Sequence, residues 1–286
     1  MGGGGEKLNS SPVGYPAIVK PVDMAGSRGI IKVNNDEELL NALESSKKIS
    51  DSGKVIIEEY LDGPEVSVEL VISNKKVYVI QVTDKITTGP PHFIEIGHSQ
   101  PSILDYDAIK DIKNVAVKAA QSLEIDNCLG HVEIKLTSHG AKMIEMGARA
   151  GGDSIGEQLI FNSTGVNFQN IALNFALGNE IQIQEPAQST PCCIKFIQCE
   201  SGVLKSISGI ENVKLPKNII DLKITAKIGE KYSDPVDNSG RWGYVIAKAN
   251  TLDEAKSICD NTLSKIIFEN FDTNNPPDLI TNHVEH

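Results

Sequence analysis

The sequence contains no run of 18 apolar residues, which excludes a helix of bilayer length. No basic segment leads into an apolar stretch at its start, so a secretory signal is not expected. There is no CxxC pair. The five cysteines (Cys128, Cys192, Cys193, Cys199 and Cys259) are odd in number, which points to reduced thiols in a cytoplasmic protein rather than a disulfide framework. Positive charge is in deficit: 27 Lys and Arg stand against 38 Asp and Glu, a net charge of −11. Such a surface repels a phosphate backbone and argues against nucleic acid as a partner. A small anion can still bind where lysines and backbone amides converge, because local field outweighs net charge. With 40% hydrophobic and 23% charged residues over 286 positions, the composition is globular, enough for one large domain or two ordinary ones.

Residues 1–12, opening on Met1-Gly2-Gly3-Gly4-Gly5, read as a flexible leader. A short strand, Ala17 to Lys20, is followed by a turn-rich loop to Gly29 and a second strand, Ile30 to Val33. Asn35 and Glu38 form a capping-box pattern that opens a helix to about Ile49. Strands are expected at Val55–Tyr60, Val66–Ile72 and Val77–Val82, and their short connections imply antiparallel neighbours. Thr83 to Pro101 lacks a helical period and reads as a long loop with a brief strand near His92 to Glu95. A helix at about Asp107–Leu123, strands at His131–Leu136 and Ala141–Met146, and helices near Ile155–Asn162 and Phe168–Leu177 follow. Beyond a connector, strands are expected at Cys192–Gln198, Ile219–Ile228 and Gly243–Ala249, then a helix capped by Thr251 and Glu254 and running to about Ile267. Residues 271–286 read as a loose tail. Strand runs interspersed with helices, with much antiparallel pairing, define an α+β fold class.

Chemistry-bearing residues fall at the ends of these elements. Lys20 closes a strand before a loop holding Gly26, Ser27, Arg28 and Gly29, which can bare N–H groups to phosphate oxygens or be an ordinary hairpin loop. Its spacing is not that of a P-loop, and no helix follows at once as in a dinucleotide-binding turn. Glu58, Glu59 and Leu61 end a strand, with Glu65 four residues further. A strand terminus can read a base edge and a carboxylate can accept ribose hydroxyls, although a solvated acidic hairpin looks the same. Glu133 and Glu145 each stand six residues from His139, which sets them opposite one another if the hairpin folds about that turn. Both sit in apolar runs where a strand prefers Val or Ile, and two facing acids repel unless a cation lies between them; hard oxygens suit Mg²⁺. Arg149 borders the same place and can hold a carboxylate or form a surface ion pair. His131 can orient a substrate or serve as a bonded core imidazole. Arg241-Trp242-Gly243-Tyr244 reads as a packing corner, with an arginine able to reach back.

Taken in order, Gly14 to Pro21, the loop to Gly29, Ile57-Glu58-Glu59-Tyr60-Leu61 with Glu65, Glu133, and Glu145-Met146-Gly147-Ala148-Arg149 resemble the ATP-grasp superfamily over about residues 13–178. Residues 192–268 are similar to the C-terminal piece of biotin-carboxylase-like members. Thr87-Thr88-Gly89-Pro90-Pro91-His92-Phe93, Gly97-His98 and Gly130 to Leu136 look most like the carboxylate–amine ligases that join amino acids.

The resemblance implies two α+β subdomains clasping a nucleotide, about 13–83 and 84–180 of a domain at 13–180, and a small C-terminal α+β domain at 190–270. It implies ATP and Mg²⁺ (or Mn²⁺) as cofactors. Lys20 would meet the α- and β-phosphates, with Lys85 a further phosphate lysine, and Gly26, Ser27 and Gly29 would cover the β- and γ-phosphates. Backbone groups of Glu59 and Leu61, with Glu58 nearby, would read adenine, and Glu65 would hold ribose. Glu133 and Glu145 would be the metal ligands; Arg149, His131 and His92 would be the catalytic set. The implied reaction is ATP-dependent C–N ligation of a small carboxylate and an amine through an acyl-phosphate. The alternatives are a bicarbonate-using carboxylase or carbamoyl-phosphate-type enzyme, and a partner-dependent or inactive nucleotide-binding fragment. Two departures stand out. The family's asparagine two residues after the second glutamate is Gly147 here, and only about a dozen residues precede Gly14, where relatives carry a further α/β domain. A homodimer, or a front domain or chain supplied separately, is therefore expected.

Overall fold

The computed structural model describes residues 10–213 and 217–271; the rest of the expected leader and the tail from residue 272 lie outside the described residues. A first unit comprises β1 (Ala17–Pro21), β2 (Ile31–Val33), α1 (Asp36–Ile49) and β3 (Val55–Glu59). Its antiparallel sheet has the order β2-β1-β3. Alternate residues of the sheet face opposite ways: Ala17, Val19 and Val33 are buried with Leu39 and Ala42 of the helix, while Ile18 and Lys20 look into a cleft. Asn35 caps the helix, its side chain accepting from the Glu38 N–H at 2.9 Å. Glu38 accepts the Asn34 N–H at 2.8 Å and the Asn35 side-chain amide at 2.9 Å in place of the N-cap backbone N–H, so the backbone half of the expected capping box is displaced by one residue.

The rest is built on β4 (Glu65–Ser73), β5 (Lys76–Thr87), β6 (Glu95–Gln100), α2 (Tyr106–Ser122), β7 (Cys128–Thr137) and β8 (Gly140–Gly147). A π-helical turn, Ile155–Leu159, leads into α3 (Ile160–Thr164) and then α4 (Phe168–Ala176). The C-terminal part holds β9 (Cys192–Gln198), β10 (Gly202–Ser208), β11 (Ile219–Ile224), β12 (Lys231–Tyr232), β13 (Arg241–Lys248), α5 (Leu252–Leu263) and β14 (Ile267–Asn270). One antiparallel sheet of eight strands, β11-β13-β9-β6-β5-β4-β7-β8, runs through both regions, and a small sheet β12-β10-β14 flanks it.

The central strands are two-faced. Val66, Val68, Leu70, Val82, Val132 and Ile134 pack against Ile112, Ala116 and Ala120 of α2. Each such large side chain contributes about 1.5–3 kcal/mol on burial, which offsets the cost of holding charges on the reverse side. That reverse side carries Glu65, Lys85, His131 and Glu133, and they line the cleft between the two sheets.

Several expectations are corrected. Thr83 to Pro101 is not a long loop: β5 continues to Thr87 and β6 starts at Glu95, so Lys85 sits on a strand. The apolar–polar pattern fails there because the polar face is itself buried beneath the cleft. The turn at Gly63 does not make β3 and β4 neighbours, since β3 pairs β1 while β4 pairs β5 and β7. The last helix ends at Leu263, and Ile267 begins β14. β11 ends at Ile224, short of Ile228, and β10, β12 and β14 were not anticipated.

Candidate active site

The cleft encloses about 880 Å³. Its first wall presents Ile18, Lys20, Ile56, Glu58, Glu59, Tyr60 and Leu61, and its second Glu65, Lys85, Glu95, His131, Glu133, Glu145, Arg149 and Asp153. The loop after β1 covers it with Gly26 and Ser27. Gly26, Ser27 and Gly29 all adopt left-handed backbone (φ 68°, 62° and 75°), which two glycines make accessible at little cost. Gly29 does not line the cleft; its carbonyl accepts from Ser46 Oγ at 2.8 Å and ties the loop to α1. His92 is exposed and stands apart from the lining residues.

Glu133 and Glu145 are direct cross-strand partners. The turn is tighter than the offset from His139 implies, because Thr137 pairs Gly140, and a bulge between Glu133 and Ile134 restores the register. The two acids have opposite surroundings. Lys85 Nζ lies 3.0 Å, and His131 Nε2 3.3 Å, from the same oxygen, Oε1 of Glu133. Burial by itself would raise the Glu133 carboxyl, but the charges of Lys85 and His131 outweigh it and hold the group far below the usual carboxylate range. Glu145 has no hydrogen bond or ion pair among the described residues. Its burial and the nearby charge of Glu133 push its carboxyl up.

A divalent cation would relieve that cost. The free Oε2 of Glu133 and the unpartnered Glu145 are hard oxygen donors of the kind Mg²⁺ takes, so the residues present fit the ion. No side chain at position 147 adds to them. The Arg149 side chain lies over Gly147, where a Cβ would meet its Cγ and Nε at 3.1 Å.

Lys85 is the hub of the second wall. Its ammonium sits 2.8 Å from Glu65, 2.7 Å from Glu95 and 3.0 Å from Glu133. Burial would lower its pKa, and the three carboxylates override burial to hold it well above the ordinary lysine value. Glu65 is shared with Lys135 at 3.5 Å. On the first wall Lys20 pairs with Glu58 at 2.7 Å. His131 is squeezed between Glu69 and Glu133; burial opposes its charge, but the two carboxylates raise it to about 9, so it is an imidazolium at neutral pH.

Glu95, Asp153 and Asn238 were not singled out from sequence, although they complete the site. Asp153 accepts a two-pronged pair from Arg241 at 3.0–3.1 Å, so the arginine beside Trp242 does reach back. Trp242 meanwhile packs on Tyr232 and Phe268. Asn238 donates from Nδ2 to Glu95 at 3.0 Å, accepts the Glu95 N–H at 2.9 Å, and gives its own N–H to the Gly26 carbonyl at 3.2 Å. Ser27 Oγ donates to the Phe93 carbonyl at 3.1 Å, so the loop is clamped over the cleft from two sides. Glu95, His98 and Asp153 also bring ligand atoms within 4.8 Å of one another. His98 is fully buried, and its ring nitrogens have no hydrogen-bond partner.

The ATP-grasp domain model matches residues 13–157, half of the chain, and the model for L-amino acid ligase C-terminal domain 2 matches residues 195–270. The chain belongs to the ATP-grasp family. It is 27% identical over 237 residues to the alanine–anticapsin ligase of Bacillus subtilis, covering 74% of this chain and 48% of that protein. The crystal structure of an L-amino acid ligase from Bacillus licheniformis superposes with a TM-score of 0.78 at 22% identity, covering 91% of this chain and 66% of that one. The biotin carboxylase domain of the 2-oxoglutarate carboxylase of Hydrogenobacter thermophilus, solved with ADP, magnesium and bicarbonate, gives 0.69 at 18% identity, covering 90% and 58%. At these identities the two structures share the fold. The chain spans about half the length of the curated relatives it matches. Among the described residues no helix is long and apolar enough to cross a membrane.

Proposed function

We propose that this chain is the nucleotide-clasping and catalytic part of an ADP-forming carboxylate–amine ligase, acting in the cytoplasm on a small carboxylate such as an amino acid. The observation that carries the reading is the pair Glu133 and Glu145, facing each other with free oxygens in a cleft whose opposite wall bears Lys20. Adenine lies against Ile18, Ile56, Tyr60 and Leu61, reading backbone groups of Glu59 and Leu61, with Glu65 toward the ribose. Lys20 and Lys85 meet phosphate oxygens, and the Gly26–Gly29 loop closes over the terminal phosphates. Mg²⁺, held by Glu133 and Glu145, supplies charge neutralisation between phosphate oxygens when bound.

In the reaction, a substrate carboxylate oxygen attacks the γ-phosphorus and the bond from that phosphorus to the bridging oxygen breaks. ADP leaves, and the carboxylate becomes an acyl-phosphate. An amine nitrogen then attacks the acyl carbon, phosphate departs, and the nitrogen gives up a proton as the amide forms. Arg149 holds the carboxylate and then the oxyanion of the second step. The clamped loop keeps water from the acyl-phosphate. Residues 13–180 form the clasp in this reading and 190–270 the following domain, with a homodimer or a separately supplied front segment completing the substrate pocket.

Phosphate release measured with ATP, Mg²⁺ and pairs of amino acids tests the proposal, with the chain alone and extended by upstream sequence. Release that requires an amino acid and an amine supports it. Release with bicarbonate alone assigns the chain to carboxylase chemistry, and absence of ADP binding by either form overturns the reading.

A further inference from the structure

We infer that Glu69 is a positioning residue of this cleft: acting through His131, it turns Glu133 so that one carboxylate oxygen is left free for the divalent ion. The inference rests on the ligase reading, to which it adds a residue outside the cleft wall. Glu69 is on β4, directly opposite His131 on β7, and it is completely buried. Its Oε1 contacts His131 Nδ1. Its Oε2 accepts the N–H of Gly151 at 3.0 Å. The other imidazole nitrogen, Nε2, stands 3.3 Å from Oε1 of Glu133, the oxygen that Lys85 also holds. The closest contact of each partner therefore falls on one oxygen of Glu133, Oε1, and Oε2 accepts no hydrogen bond among the described residues.

A buried carboxylate is a poor way to obtain stability. Well-packed apolar residues in place of a buried ion pair are frequently neutral or stabilising. Its distinctive contribution is orientation: an imidazole with one nitrogen fixed by a carboxylate can present the other in only one direction, as partners behind metal ligands do. Glu69 also fixes a second element. Gly151 lies between Arg149 and Asp153, and its backbone comes so close that a Cβ there would stand 2.6 Å from Glu69 Oε1 and 2.8 Å from His131 Nδ1. The glycine is what lets the Arg149 loop, the imidazole and the carboxylate meet.

The test is calorimetry of ADP, with and without Mg²⁺, on the wild-type chain and on Glu69→Gln and Gly151→Ala. A carboxamide has one accepting oxygen for two donors, so Glu69→Gln leaves either His131 or Gly151 unpaired. Gly151→Ala keeps the charge and displaces it, and supplies the answer if the first variant does not fold. In both, binding of metal-free ADP stays within about twofold of wild type while the tightening by Mg²⁺ falls by about 10–100-fold, the range for partners behind metal ligands. An unchanged Mg²⁺ effect in a folded variant, or equal loss of affinity with and without the ion, overturns the inference and leaves the ligase reading standing. A wild-type chain whose ADP binding ignores Mg²⁺ overturns the ligase reading and this inference with it.

Discussion

Lys85→Met removes the charge at the hub of the second wall and nearly keeps its volume, so its effect is electrostatic. The ammonium, with its side chain 3% exposed, is the shared partner of Glu65, Glu95 and Glu133 at 2.7–3.0 Å. Breaking a buried pair by removing one partner costs about 3–5 kcal/mol, because the remaining charge is uncompensated. Each carboxylate keeps some help: Glu65 has Lys135, Glu133 has His131, and Glu95 has Asn238. The lower end, about 3 kcal/mol, is therefore expected, or a Tm lower by roughly 6–12 °C at this chain length. The pH dependence carries the sharper signature. Burial already raises the Glu95 carboxyl with Lys85 in place, and removing the ammonium raises it further and relaxes the depression of Glu133. A carboxyl whose folded-state pKa lies above its unfolded value takes up a proton first in the folded state, so falling pH favours folding of the variant. The deficit relative to wild type should shrink as pH falls from neutrality toward the ordinary carboxylate range, read by urea denaturation at a series of pH values. A loss below about 1 kcal/mol, the worth of an exposed pair, would refute the buried-hub argument, and so would a deficit that stays constant with pH.

Asn238→Ala removes two side-chain bonds to Glu95 and loosens the segment that holds the Gly26 carbonyl. At about 1 kcal/mol for a hydrogen bond, ADP binding should weaken by about fivefold or more, and protease cleavage within residues 23–29 should accelerate. Cleavage and affinity both unchanged would mean that the loop closes without this contact. Arg241→Leu removes the two-pronged partner of Asp153. Burial would raise the Asp153 carboxyl, but its neighbours His98 and Glu95 and the Arg241 charge hold it well below the ordinary value. A depressed carboxyl stabilises above its unfolded pKa and loses that contribution as pH falls through its folded one. The variant should thus be less stable by about 2 kcal/mol at neutral pH, with the gap closing below about pH 4. Denaturation at a series of pH values checks this, and a gap that widens in acid would reverse the assignment.

Elements that bury one face were readable from residues alone. β1, β9 and α1 follow from local period, and the pairing of Glu133 with Glu145 from acids interrupting an apolar run. That pairing arises through a tighter turn plus a bulge, two one-residue effects that cancel, and composition carries no trace of either. β5 and β6 were hidden for a physical reason. Thr83, Lys85, Glu95, His98 and Gln100 are polar side chains turned away from water on these strands: Lys85 pairs with Glu95 and Gln100 donates to Thr83 across strands, with His98 buried beside them. Such a segment looks like a loop until its partners are known. β6 joins β9, where Gln100 pairs Cys192 from 92 positions away, and no local pattern encodes so distant a ladder. Asp153 and Asn238 were missed likewise, since each gains its role from contacts 88 and 143 residues away.

A divalent ion between Glu133 and Glu145 is the element on which the proposed chemistry depends. The most direct measurement is a crystal of the chain grown with ADP and Mn²⁺, examined for anomalous scattering from the metal. A peak within carboxylate-ligand distance of both Glu133 and Glu145, lost in Glu145→Gln, is the predicted result. A peak among Glu95, His98 and Asp153 instead, or nucleotide bound with no peak at the hairpin, would contradict it.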